Sequence, residues 1–343
     1  MSNPIKPKPI KTVWVISDGI AGHFNQSKGI LLALEQIYNL KVEWLDLHLK
    51  RGLYRRILSV LLNHIQPPIH WLPYFYHGEF PVGRPDIVVG AGGKSSFAVA
   101  WLGKVFKAQT IFAGSLRQLN SKLFNAVLVL EPIEQPPFIS LQTSPMSINQ
   151  LILKQAADAW LVAHGKPVKT LWAMLIGGDG AGATYSQADW QNLAGQMNSL
   201  AEKNDIQWLV STSRRTGKLA EQVLQQHLKS EVIAQAVWWS VKPQTVTQAY
   251  LGLSEVAFCT IDSMSMLMES ISAMRPVVAV KPEHFEPEHN FQAAISRLEQ
   301  QQLLLKIQII ELTQKSYNIF MLKPLKLEPS IILAQHLAAR LEF

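Results

Sequence analysis

The feature that most constrains this chain is a rhythm of strand and helix that runs once and then starts again. In the first half, strand-like stretches read TVWVIS, KVEWLDL, DIVVGAG, QTIFAG and AVLVLE, with helical periodicity between them near residues 26–37, 53–63 and 94–105. In the second half the strands read TLWAMLIGG, IQWLVSTS, AVWWS, VAFCTID and PVVAVKP, with helices beginning near Ser186, Lys218, Thr245 and Ser263. Strand–helix alternation builds a parallel sheet covered on both faces. At 343 residues the chain exceeds one ordinary core of about 150 residues, so two α/β, Rossmann-like domains are expected. Their expected bounds are 1–145 and 146–330, with a terminal helix over 331–343. The proline-rich stretch PIEQPPFISLQT, or the segment just after it, should carry the link. Doubly wound domains place functional turns at the carboxyl ends of their strands, here facing a shared cleft.

Composition narrows the class. A single cysteine, Cys259, excludes a disulfide framework and suits a reducing compartment. The basic amino terminus lacks the apolar core of a secretory signal, and no apolar run reaches the roughly 18 residues of a membrane span, so a cytoplasmic protein is expected. Charge is uneven: residues 1–165 hold 16 Lys/Arg against 9 Asp/Glu, whereas the remainder holds 16 of each. A basic half beside a neutral half points either to an anionic partner or to a surface that only aids solubility.

Five turns carry chemistry. The first, in ISDGIAGHFNQS, sets Asp18, Gly19, Gly22 and His23 between a strand and a helix, with Asn25 just beyond. Glycine admits close backbone approach, and the free N–H groups of a first helical turn favour an anion or polar ligand. The spacing is not that of the dinucleotide fingerprint. A histidine at such a mouth is either a general base or a turn-stabilising cap. The second, VVGAGGKSS, leads Gly90, Gly92, Gly93 and Lys94 into a helix; it lacks P-loop spacing, and reads as an anion cradle or as tight strand-to-helix packing.

The third turn, LIGGDGAGATYS, holds Gly177, Gly178, Gly180 and Gly182 around Asp179, as a wrapped diphosphate would require. The fourth, VSTSRRTGK, groups Ser213, Arg214 and Arg215, and arginine's fork matches phosphate oxygens. In the fifth, CTIDSMSMLMES, Asp262 or Ser263 caps a helix, and Glu269 lies six residues past Ser263, suited to ribose hydroxyls. Met264, Met266 and Met268 otherwise read as core filler. No metal is expected: His64, His70 and His77 lie among prolines and aromatics without ligand spacing, and His284 and His289 have no third partner.

SDGIAGHFNQS, GGDGAGATYS, TSRRT and DSMSMLMES together resemble the family named for the plant mitochondrial-fission factor, over roughly residues 13–290. The resemblance implies a GT-B fold, two Rossmann-like domains around a donor cleft. DGIAGH also resembles the glycine-rich turn and histidine of the bacterial peptidoglycan N-acetylglucosaminyltransferase. On this likeness Gly177, Gly178, Asp179, Gly180 and Glu269 hold a nucleotide sugar, Asp179 standing where that enzyme class has a hydroxyl. Ser213, Arg214, Arg215, Asp262, Ser263 and Met264 complete the donor side, while Gly19, Gly22, Asn25, Gly92, Gly93 and Lys94 form the acceptor side. His23 or Asp18 would deprotonate the acceptor hydroxyl for inverting transfer; no cofactor beyond the nucleotide-sugar co-substrate is implied, since arginines and helix dipoles neutralise the leaving diphosphate.

The expected function is therefore glycosyl transfer, with a non-catalytic adaptor or a nucleotide-sugar isomerase as rivals. Residues 50–80 join Lys50, Arg51, Arg55 and Arg56 to an apolar helix and then to Trp71, Tyr74, Phe75, Tyr76 and Phe80. Cations beside aromatics suit an interfacial segment; a buried helix followed by an aromatic loop is the alternative. Nucleic acid is not expected, because the rings are not interleaved with cations. The expected partners are an anionic membrane, at the inner face of the cytoplasmic membrane, and a lipid-linked acceptor such as a lipopolysaccharide core intermediate.

Overall fold

The computed structural model describes residues 7–79, 82–133, 135–313 and 321–341. The chain divides into two compact units, residues 1–147 with 329–343, and residues 148–328. Each unit is built on a parallel six-stranded sheet among the described residues.

In the first unit the strands are β1 (Ile10–Ser17), β2 (Asn39–Asp46), β3 (Ile87–Ala91), β4 (Gln109–Ala113), β5 (Ala126–Val129) and β6 (Phe138–Ser140), in the order β2-β1-β3-β4-β5-β6. Alternation along β1 sorts its side chains to opposite faces. Val13 and Val15 join a core with Ile30 and Leu34 of α1 (Ala21–Glu35). Trp14 and Ile16 join another, with Leu58 and Leu62 of α2 (Tyr54–His64) and Phe97 and Trp101 of α3 (Ser96–Phe106). The proline-rich stretch contains β6, whose pairing follows directly on Pro137, and the units divide between Ser147 and Ile148, in the segment just after it. A three-residue edge strand at a proline pair leaves no period to read.

The second unit opens with α4 (Gln150–His164), a helix the sequence reading did not single out. It then alternates β7 (Thr170–Leu175), α5 (Gln187–Asn204), β8 (Ile206–Ser211), α6 (Lys218–His227), β9 (Ile233–Val237), α7 (Thr247–Leu253), β10 (Val256–Thr260), α8 (Met264–Ser272), β11 (Val277–Lys281), α9 (His289–Gln300) and β12 (Leu304–Gln308). The sheet order is β9-β8-β7-β10-β11-β12. One face packs Leu171, Ala173 and Leu209 against Trp160 of α4 and Tyr250 of α7. On the other, Trp172 stacks on Phe258 at 5.5 Å, and Trp208 donates its indole N–H to the Met197 carbonyl of α5 at 2.9 Å. The AVWWS segment ends as a strand at Val237, three residues earlier than expected, because Trp239 bonds to Thr212 in the following turn.

The final helix, α10 (Pro329–Arg340), belongs to the first unit, where Leu333 and Leu337 complete the α1-side core. The last two residues of the expected terminal helix, and Phe80 of the aromatic segment, lie outside the described residues. The aromatic segment itself divides. Tyr76 is fully buried and Phe75 packs on Trp101, whereas Tyr74 is 70% and Trp71 39% exposed. Burial pushes the Tyr76 phenol far above its ordinary range. Of the four described rings of the expected interfacial cluster, Tyr76 is thus core and Phe75 packs against it.

Candidate functional site

In an open parallel sheet, chain direction reverses where successive strands leave to opposite sides, and the loops there splay apart into a crevice. In the first unit that switch lies between β1 and β3. The two turns leaving those strands are the ones carrying Asp18 to His23 and Gly92 to Ser95. His23, in the first turn of α1, presents Nδ1 to both carboxylate oxygens of Asp18, at 3.0 and 2.9 Å. The Asp18 side chain is only 5% exposed and also accepts from the Ile20 amide at 3.2 Å. A carboxylate against Nδ1 fixes the proton there and leaves Nε2 as the accepting nitrogen, the arrangement of an oriented base. Nε2 has no hydrogen-bond partner among the described residues.

Gly92 explains why the second turn is glycine. Its φ is +83°, and a Cβ there would stand 2.2 Å from the His23 ring. The bare backbone of Gly92 is therefore the wall on which the imidazole rests. Gly93 does the same for Arg117, whose Nε would lie 2.3 Å from a Cβ. Gly19 faces the His48 ring, whereas a Cβ on Gly22 would meet nothing within 4 Å, leaving open space at the start of α1. Asn25, one turn on, lies 3.5 Å from the Ser147 hydroxyl, and Lys94 is exposed.

The switch of the second sheet lies between β7 and β10, and it brings together Gly177 to Gly182 with Ile261 to Ser263. Here the structure gives the glycines a task the sequence reading had assigned to a diphosphate. A Cβ on Gly177 would strike Asp262 at 2.0 Å, on Gly178 the Arg215 carbonyl at 2.2 Å, on Gly180 the Arg215 guanidinium at 2.3 Å and on Gly182 the Glu286 carbonyl at 2.2 Å. Much of the loop's bareness thus serves the protein's own packing. The Gly177 amide donates to Thr260 Oγ1 at 2.7 Å, and its carbonyl accepts from Ser213 at 2.8 Å and from Thr216.

Asp262 is the hub rather than a helix cap. Its carboxylate, fully buried, pairs with Arg215 at 2.7 Å and accepts from the Gly178 amide at 3.2 Å and the Tyr185 hydroxyl at 3.3 Å. Burial pushes its carboxyl above the ordinary carboxylate value, opposed by Thr260 and Arg215. Burial and the Asp262 charge push Tyr185 well up. Arg215 is occupied by this carboxylate and the Asp179 carbonyl, at 3.4 Å, so of the two exposed arginines Arg214 is the one with no carboxylate partner among the described residues. Ser263 holds the N-cap position of α8 without a side-chain cap bond, and leaves the amides that follow, from Met264 onward, unclaimed by it. Glu269 lies further along α8, where its charge helps raise the buried Cys259 thiol. Thr216, Tyr185 and Thr260 escaped the sequence reading as individual side chains, although each lies in a stretch already marked: Tyr185 in LIGGDGAGATYS, Thr216 in VSTSRRTGK and Thr260 in CTIDSMSMLMES.

A cavity of about 420 Å³ opens beside this loop, lined by Asp179, Tyr185, Trp190, Arg215 and Leu219. Among the described residues no three His, Cys, Asp or Glu side chains converge as a metal site would, and no helix is long and apolar enough to cross a membrane.

The sequence matches no curated protein. In three dimensions it resembles UDP-GlcNAc 2-epimerase from Methanocaldococcus jannaschii, with a TM-score of 0.55 at 12% identity over 96% of this chain and 99% of that one. It also resembles S. aureus MnaA in complex with UDP, with a TM-score of 0.53 at 12% identity over 95% and 94% of the two chains. At such identities the likeness establishes the fold. The profile of the mitochondrial fission ELM1 family spans residues 21–327, so the chain belongs to that family.

Proposed function

We propose that this protein is a glycosyltransferase that moves a sugar from a nucleotide-sugar donor onto an acceptor hydroxyl. The observation that carries the reading is the buried Asp18 holding His23 by Nδ1, with Nε2 free, on a switch-point turn. His23 Nε2 takes the acceptor proton, the acceptor oxygen attacks the anomeric carbon, and the nucleoside diphosphate departs with the bonding electrons. Asp18 orients the imidazole and stabilises its cation. Arg214 and the first amides of α8 are the groups suited to the departing charge. A UDP-bound protein of the same fold supports a nucleotide ligand, which we place on the second unit.

The acceptor we place at a lipid surface, at the inner face of the cytoplasmic membrane. Leu53, Ile57 and Val60 lie exposed at helical spacing along and just before α2, beside Arg51 and Arg56. Ile65, Ile69, Trp71 and Tyr74 extend the apolar exposure. Such a face suits an anionic bilayer and a lipid-linked glycan precursor, such as a lipopolysaccharide core intermediate.

The test is a nucleotide and nucleotide-sugar screen followed by product analysis. A bound nucleotide at 100 times its Kd should stabilise the protein by about 2.7 kcal/mol. His23→Ala should lower transfer by about 10²- to 10⁴-fold while nucleotide binding survives. The shared fold with UDP-GlcNAc 2-epimerases favours one other reading, isomerisation; it predicts an epimerised nucleotide sugar formed without acceptor. No nucleotide binding at all would instead favour an adaptor. For the membrane, Ile57→Glu/Val60→Glu should abolish flotation with anionic vesicles, and unchanged flotation would refute that face.

A further inference from the structure

We propose that a cationic groove on the first unit, lined by Arg55, Arg56 and Arg117, is a binding site for a phosphate or diphosphate group carried by the acceptor. The identification of the group as the acceptor's rests on the transferase reading; the anion site itself does not. The groove has a volume of about 730 Å³ and its remaining walls are Gly52, Leu53, Ser115 and Gln118. That is room for a diphosphate and part of what it is attached to. Ser115 and Gln118 add neutral polar groups to the three guanidiniums. Among the described residues, no ion pair engages any of these arginines. Three uncompensated cations around one concavity repel each other and are stabilised by an anion in their midst.

The groove is also built, rather than an accident of mobile side chains. Asn63 of α2 donates to the Gln118 carbonyl at 3.0 Å and accepts from the Asn120 amide at 2.8 Å, pinning the 115–120 loop to the helix that bears Arg55 and Arg56. Arg55 is itself tied back through Nε to the Gly52 carbonyl at 3.1 Å. Arg117 and Gln118 both take positive φ, 53° and 70°, a costly conformation for non-glycine residues that is found at ligand clamps. Arg117 lies on Gly93 while His23 lies on Gly92, so consecutive residues of one turn carry the candidate base and one of the groove's cations. A phosphorylated acceptor held by Arg117 would have its adjacent hydroxyl delivered toward His23.

The experiment uses the full chain and two probes, inorganic pyrophosphate and UDP, followed by calorimetry. Wild type should bind pyrophosphate in a salt-dependent manner. Arg117→Gly, which also relieves the positive φ, and Arg56→Ala should each weaken it by roughly tenfold, and Arg117→Lys by less. Because UDP also carries a diphosphate, the UDP titration in the same variants separates the sites: its affinity should not move. Pyrophosphate binding that is unchanged in both variants, with UDP affinity intact, overturns the groove and leaves the transferase reading standing. Absence of UDP binding in the wild type, with pyrophosphate bound there and lost on Arg117→Gly, overturns the UDP-donor transferase reading and leaves the groove. A second arm distinguishes the source. Vesicles of neutral lipid doped with phosphatidic acid should compete with pyrophosphate if the phosphate is a lipid headgroup, and should not if the acceptor is a free phosphate ester; competition that persists equally in Arg117→Gly overturns the site.

Discussion

At the scale of single residues, Gly92 and His23 form the most exposed point of the proposal. Gly92→Ala forces a methyl into the imidazole at 2.2 Å and imposes a left-handed φ on a Cβ-bearing residue. The ring must move, and a displacement of about 1 Å is enough to cost 10²-fold in rate. We expect that loss in a transfer assay with nucleotide affinity unchanged, because the second unit is untouched. Cys259 gives a second residue-scale test. Burial pushes its thiol from an ordinary 9.0 up to about 12. Between those values the folded state binds more protons than the unfolded one, so this group's contribution to stability falls as pH rises from about 9 toward 12 and is level below. Iodoacetamide should accordingly leave Cys259 unmodified in the native protein at pH 8 and label it in urea.

At the scale of elements, the second unit's loops are fastened by a side chain the sequence did not advertise. Glu221 of α6 is 1% exposed; it accepts from Thr212 at 2.5 Å, from the Ser240 amide at 3.1 Å and from the Ser240 hydroxyl. It thereby joins the turn after β8 to the turn after β9. Glu221→Ala would strand the buried Thr212 hydroxyl and untie the exposed Ser240, costing about 1–3 kcal/mol. A clear fall in Tm is expected, larger than that of an exposed substitution on the same helix such as Gln225→Ala.

At the scale of the whole molecule, the two units differ in how they are closed along the chain. The second is continuous, whereas the first borrows α10 from beyond it. A fragment spanning residues 148–328 should fold alone and retain nucleotide binding, checked by circular dichroism and calorimetry. Residues 1–147 without α10 should not fold stably, since Leu333 and Leu337 each fill core positions whose loss costs roughly 2–5 kcal/mol. Supplying 148–343 in trans should not matter to the first fragment if this account is mistaken.

The sequence by itself determined the alternation of strand and helix, the two-sheet class and the location of the chemistry-bearing turns, because those follow from period and from residue type over a few neighbours. Thr12 to Ser17 reads as a strand whatever lies beside it, and Gly92-Gly93 reads as a tight turn. What only the tertiary structure decided was which turns meet. Strand order is invisible in sequence, and it is the adjacency of β1 to β3 that lays His23 on Gly92, and of β7 to β10 that sets Asp262 against Gly177. The same holds for Arg215, which reads as a phosphate ligand in TSRRT and becomes the partner of a buried carboxylate once the fold supplies one. Asn63 and Arg117, 54 positions apart in the sequence, show the rule at its widest: their joint meaning exists only after the chain has brought α2 to the 115–120 loop. Short-range preference fixes elements, whereas long-range packing assigns each side chain its partner.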